Sequence, residues 1–169
     1  MKTKRLTKPE KRVLIAKDVI KLIKAKKIAI KTGNYFQTGS INPHAHEQLN
    51  KVLPKIKNCE VCALGGLFYS YVSKYNNYEI GGGGLIHMNN KDNEMRDLLN
   101  DIFSKKQLNL IECAFEEDDV NSHCMWSLCS DEIIIRAEAY RSNHDLYDDD
   151  KALIHIMKNI ISNKGVFKV

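Results

Sequence analysis

The segment from about Asn58 to Lys74 constrains the fold more than any other. Val61, Leu64, Phe68, Tyr71 and Tyr75 recur at three- and four-residue spacing, which predicts a strongly amphipathic helix. Gly65-Gly66 falls in its middle, and a glycine in a helix interior costs about 1 kcal/mol relative to alanine. A helix with two of them needs a neighbour that uses the missing side chains, so another helix is expected to pack closely at the Gly65-Gly66 notch.

The flanking sequence supplies further helices. Proline suits a first helical turn, so one helix should start near Lys8 or Pro9 and run to about Ala25, with Val13, Ala16, Ile20 and Ile23 as its buried stripe. The segment from Lys27 to Lys31 alternates, is closed by Thr32-Gly33-Asn34, and reads as a short edge strand. Asn42-Pro43 should open a short helix that Pro54 halts. Residues 76–93, with Asn76-Asn77 and Gly81 to Gly84, read as a lid or as a hairpin around Leu85-Ile86. A helix is expected near Asn93 to Phe103. The next opens at Ser104, at capping-box spacing from Gln107, and passes through Leu108, Ile111 and Phe115 to the acidic cluster Glu116 to Asp119. Two more should cover Asp131 to Tyr140 and about Asp148 to Ser162. The last has the stripe Leu153, Met157, Ile160 and Ile161, and Lys164-Gly165 as its stop.

The expected fold class is therefore mainly α: a compact single-domain bundle of five to seven helices with at most a small β element. It should span residues 1–169, with residues 1–9 a flexible basic N-terminus. The Cys59 to Lys74 helix is central, and the first and last helices pack across it. A chain of 169 residues with 43% apolar content suffices for one core of ordinary size.

No apolar run approaches the roughly 18 to 20 residues of a membrane span, since Lys17 and Arg136 interrupt the densest stretches. Lys17, Asp18 and Lys21 likewise break any signal-peptide pattern. Five cysteines is an odd count, and Cys59, Cys62 and Cys113 lie in apolar contexts, which reads as free thiols in a cytoplasm.

Charge is unevenly distributed. Residues 1–31 hold 12 of the 26 Lys and Arg against only Glu10 and Asp18, a local balance of +10, while the other 138 residues hold 14 against 19, a balance of −5. A basic front on an acidic body suits an anionic partner; a lysine-saturated face serving solubility alone is the competing reading.

Four segments together carry a resemblance: Ala16-Lys17-Asp18-Val19-Ile20 running on to Gly33-Asn34-Tyr35-Phe36, Cys59-Glu60-Val61-Cys62-Ala63-Leu64-Gly65-Gly66-Leu67-Phe68, Gln107-Leu108-Asn109-Leu110-Ile111-Glu112, and Asn159-Ile160-Ile161-Ser162-Asn163-Lys164-Gly165. On these the chain resembles a group of small uncharacterised proteins from bacteriophages and their bacterial hosts. The Cys-Ala-Leu-Gly-Gly-Leu core also looks like the signature of a larger bacterial domain family of unknown function. The resemblance implies a phage or prophage provenance and carries no catalytic residue onto this chain.

Several constellations bear on chemistry. Cys59-x-x-Cys62 could join Cys124 and Cys129, or His123, in a zinc site, but the gap between Cys124 and Cys129 is no regular knuckle, and buried thiols are the plainer reading. If Asn58 caps its helix, Cys59 lies in the first turn, where backbone N–H groups favour a thiolate. A nucleophile at Cys59 or Cys62 would then need His87, with Asn89 or Asp92, or else His123. His44-x-His46 faces two ways on a helix and reads as solvent-facing. Gly81 to Gly84 lacks the lysine and helix of a phosphate cradle, and Asn89 to Glu94 lacks calcium-loop spacing. Lys17, Lys21 and Lys24, with Arg5, Lys8 and Lys11 ahead of them, can contact several phosphates. No aromatic residue interleaves with them over residues 1–34.

The leading expectation is a phage-type intracellular binding protein, non-enzymatic and without cofactor. It would engage nucleic acid, a nucleotide-like ligand or an acidic host protein through the basic N-terminal helix, and interfere with a host pathway. The alternative is a cysteine-dependent hydrolase or transferase centred on Cys59 or Cys62.

Overall fold

In the computed structural model the described residues are 5–33, 35–38, 48–56, 59–76, 78, 87–88, 93–116 and 129–169. Among them are seven α-helices, one 3-10 turn and a four-stranded sheet, the mainly helical bundle that periodicity predicts.

Helix α1 (Lys8–Lys24) is opened by Thr7, whose hydroxyl accepts the Glu10 N–H while the Glu10 carboxylate accepts from the Thr7 backbone. Its buried face is Ile15, Ala16, Val19 and Ile23. That face is rotated from the expected stripe, leaving Val13 and Ile20 half-buried. Strand β1 (Ile28–Ile30) follows, then β2 (Phe36–Thr38), α2 (Leu49–Val52), the 3-10 turn Leu53–Lys55, β3 (Cys59–Val61) and α3 (Ala63–Tyr75). After β4 (His87–Met88) come α4 (Asn93–Asn100), α5 (Lys105–Phe115), α6 (Asp131–His144) and α7 (Asp149–Ser162).

The sheet order is β1-β3-β2-β4, so β1 is an edge strand as its alternation indicates. β1 runs parallel to β3 with Ile28 opposite Cys59, β2 antiparallel to β3 with Phe36 opposite Val61, and β4 antiparallel to β2.

Three expectations are corrected. Cys59 does not begin a helix: Cys59 and Val61 are buried around a half-buried Glu60, a strand's period of two, and Cys62 is extended (φ −82°, ψ −171°) as the N-cap of α3. The short helix is described only from Leu49, after an extended Gln48, and Pro54 sits within the 3-10 turn that follows. The Gly65-Gly66 notch receives backbone as well as helices. A Cβ on Gly65 would lie 1.5 Å from the Tyr35 carbonyl oxygen, whereas one on Gly66 would meet Val19 of α1 and Leu153 of α7 at 3.5 and 3.7 Å. The first helix thus packs on the central helix, a Leu153 methyl of the last helix reaches in at Gly66, and Gly65 lets the chain entering β2 lie against it.

Helix α3 is buried from Ala63 to Val72. Asp148 caps α7, whose end is a left-handed Lys164 and Gly165 with the Gly165 N–H donating to the Ile160 carbonyl at 2.7 Å. Ser104 caps α5, but Gln107 does not complete the capping box. Its side-chain amide instead pairs both ways with the Phe167 backbone, at 3.0 and 2.7 Å, tying the C-terminal segment to α5.

Candidate functional site

Two groups of ionisable side chains stand out, one on the surface and one inside. The surface group lies where α1 meets α3. Lys17, Lys21 and Lys24 are exposed, as are Lys8 and Arg5, and Lys11 is half-buried. Among the described residues no carboxylate pairs with Lys17, Lys21 or Lys24.

Beside this stripe is a cleft of about 210 Å³ lined by Leu14, Lys17, Asp18, Lys21, Lys74 and Tyr75. Lys74 pairs with Asp18 at 3.0 Å, and the Ser70 hydroxyl donates to the same carboxylate at 2.9 Å. The Lys11 ammonium sits over the Tyr75 ring, 5.5 Å from its centre. The aromatic residue missing from the first 34 residues is therefore delivered by α3. Only tertiary contact brings it there.

The interior group gathers around Glu112, 1% exposed on α5. Arg96 of α4 pairs with its carboxylate and donates to the Asn109 side-chain oxygen at 2.9 Å. The Tyr35 hydroxyl donates to the other Glu112 oxygen. Burial pushes Tyr35 up to about 12. The path to this contact starts in the β1–β2 turn. There the Gly33 N–H donates to Glu116 at 2.7 Å, the Thr32 N–H donates to Asp149 at 3.2 Å, and Gly65 admits the Tyr35 backbone. Sequence reasoning missed Glu112, although it lies on the stripe of Leu108 and Phe115 at four- and three-residue spacing. A carboxylate at that position was the available signal.

Of the candidate nucleophiles, Cys62 borders this interior group. Cys59 is fully buried in the sheet, and burial pushes its thiol up to about 12. Cys62, 1% exposed, is raised further by burial and by Glu116, against the opposing pull of the Leu64 and Gly65 amides at the start of α3. The Glu116 carboxyl group is itself lifted by burial to about 7 even though the Gly33 N–H bond pulls it down. Cys113 and Cys129 are half-buried, with sulfurs 2.9 Å apart.

No family model, curated protein or solved structure matches the chain.

The structure does not bring all the candidate residues together. His87 lies in β4, while His123, Cys124, His44, His46, Gly81 to Gly84 and Asn89 to Asp92 fall outside the described residues. Among the described residues there is no group of three or more His, Cys, Asp or Glu able to hold a metal ion, and no helix is long and apolar enough to cross a membrane.

Proposed function

We propose that the chain is a non-enzymatic binding protein that takes a phosphate-bearing strand or nucleotide in the cleft between α1 and α3. The observation that carries this reading is that the exposed Lys17 and Lys21 line one cleft with a floor made by Leu14 and Tyr75, with the exposed Lys24 one turn further along α1. A lysine face serving solubility has no need of such a floor. A ligand with alternating negative and flat apolar parts uses both, the lysines for its phosphates and the Tyr75 wall for its bases. The phage resemblance adds the further role of interfering with a host pathway, and is that role's sole support.

The test is fluorescence anisotropy with a labelled single-stranded oligonucleotide, with a mononucleotide and a polyglutamate peptide as competitors. Binding should weaken steeply with salt, by a slope of about −0.7 per phosphate contacted, and should vanish in the Lys17→Glu, Lys21→Glu, Lys24→Glu variant with its circular dichroism unchanged. Capture that persists in that variant and at high salt removes the cleft as the contact surface. Competition by polyglutamate equal to that of the oligonucleotide points to an acidic protein partner instead.

One observation bears on the hydrolase or transferase reading: Cys62 is the N-cap of α3, where burial and the charge of Glu116 both raise its thiol. The thiol is shut in and held protonated, so a small alkylating reagent near neutral pH should modify Cys62 no faster than the protein unfolds. Prompt labelling of Cys62 would favour the catalytic reading over the binding one.

A further inference from the structure

Independently of the cleft, we propose that Cys113 and Cys129 are a reversible dithiol–disulfide pair that clasps α5 to the start of α6 when the protein meets a small-molecule disulfide. The two sulfurs are 2.9 Å apart, within about 1 Å of the bonded separation of about 2.05 Å. Closing the bond shortens the sulfur–sulfur separation by less than about 1 Å. The residues come from different elements: Cys113 lies in the last turn of α5, and Cys129 immediately precedes Ser130, the N-cap of α6. Both are half-buried, unlike Cys59 and Cys62, so a small reagent can reach them.

The local electrostatics favour one thiolate in the pair. The two sulfurs share a hydrogen bond in which either can be the donor, so the first thiolate to form is held by its neighbour's S–H, and the Arg96 guanidinium draws both thiols down. The exchange is the same from either end, Cys129 being taken as the attacking thiolate. Its sulfur displaces one thiolate from oxidised glutathione, leaving a mixed disulfide on Cys129. Cys113 then loses its proton to solvent and attacks the Cys129 sulfur, expelling the second glutathione thiolate. Two protein thiols are oxidised, and one glutathione disulfide is reduced to two thiols. The arrangement has a mechanical consequence, since the new bond closes the 15-residue span 114–128 and fixes α6 against the helix that carries Glu112 and Glu116.

The experiment incubates the full chain with oxidised glutathione, alkylates the remaining thiols and maps the linked peptides by mass spectrometry. A Cys113–Cys129 link, reversed by dithiothreitol and unaffected by Cys124→Ser, is the expected result. It should be accompanied by a rise of roughly 6 to 12 °C in thermal midpoint on oxidation. Reaction that stops at a glutathione adduct, a link that maps to Cys124, or an oxidised protein that melts no higher than the reduced one would overturn the proposal. Mapping is done on the unsubstituted chain, so the result does not depend on a cysteine variant folding.

Discussion

At the α1–α3 cleft the lysines face water, and Asp18 is the one carboxylate among the lining residues. Around Glu112 the charges face inward, and each is met by a partner from another element: Arg96 from α4, Tyr35 from the chain entering β2. The difference follows from the cost of desolvation. An ammonium left in water keeps its charge free for a ligand, whereas a carboxylate taken out of water persists only if its hydrogen bonds are replaced. Substitutions inside should therefore act on stability, and substitutions in the cleft on binding.

The largest effect is expected at Gly65. In Gly65→Ala the new methyl group would occupy the position of the Tyr35 carbonyl, and backbone has no rotamer with which to move away. Either the β1–β2 connection shifts or α3 does, and both carry Tyr35 off Glu112. A loss of about 4 kcal/mol or more is expected from urea unfolding, with Gly66→Ala well below it because its neighbours are side-chain methyls at ordinary contact distance. Equal losses at the two glycines would mean that the Tyr35 approach is not what holds the interior cluster together.

A smaller and pH-dependent effect belongs to Glu116, at the border between the two kinds of environment. Its carboxyl group ionises near 4.5 in an unfolded chain and at about 7 in the folded one, chiefly because burial disfavours the charge. Between those values the folded state holds the proton more tightly. The stabilisation is full below about pH 4.5, declines as pH rises and is gone above about 7, a contribution of up to about 3 kcal/mol. Glu116→Gln should remove this decline, so the stability of the original chain minus that of the variant should fall across the window. A difference that stays flat, or rises with pH, would mean that Glu116 is ionised when folded and that Gly33 and Arg141 outweigh burial.

Glu116 also marks what the sequence could and could not reveal. The long helices were legible because their apolar residues keep a 3.6 period over many turns, and because Pro9 opens α1, Ser104 caps α5 and Lys164-Gly165 ends α7 where the sequence places them, although Gln107 does not complete the capping box. Strand β3 was not legible. Three residues, Cys59 to Val61, are too few to separate a period of two from a helix's first turn when an apolar helix follows at once. The lysine stripe could be read off α1 alone, but the cleft could not, since Lys74 and Tyr75 reach it from more than 50 residues away in sequence. The interior cluster is non-local in the same way. It joins residues 35, 62, 96, 112 and 116, and no spacing rule connects them.

The smallest stability effect, and the clearest contrast with the interior, is expected at Asp18. Its partner Lys74 is 43% exposed on its side chain, and such pairs contribute little, so Asp18→Asn should lower stability by less than about 1 kcal/mol. The same change removes the negative charge from the cleft and frees Lys74 for a ligand. Oligonucleotide affinity should accordingly rise several-fold at low ionic strength, and the gain should disappear near 1 M salt, where screening acts over about 3 Å. An interior acid cannot behave in this way, because removing it leaves a buried cation unpaired. If Asp18→Asn instead weakens binding, Asp18 serves the cleft by positioning Lys74 and Ser70, and surplus positive charge is not what draws the ligand.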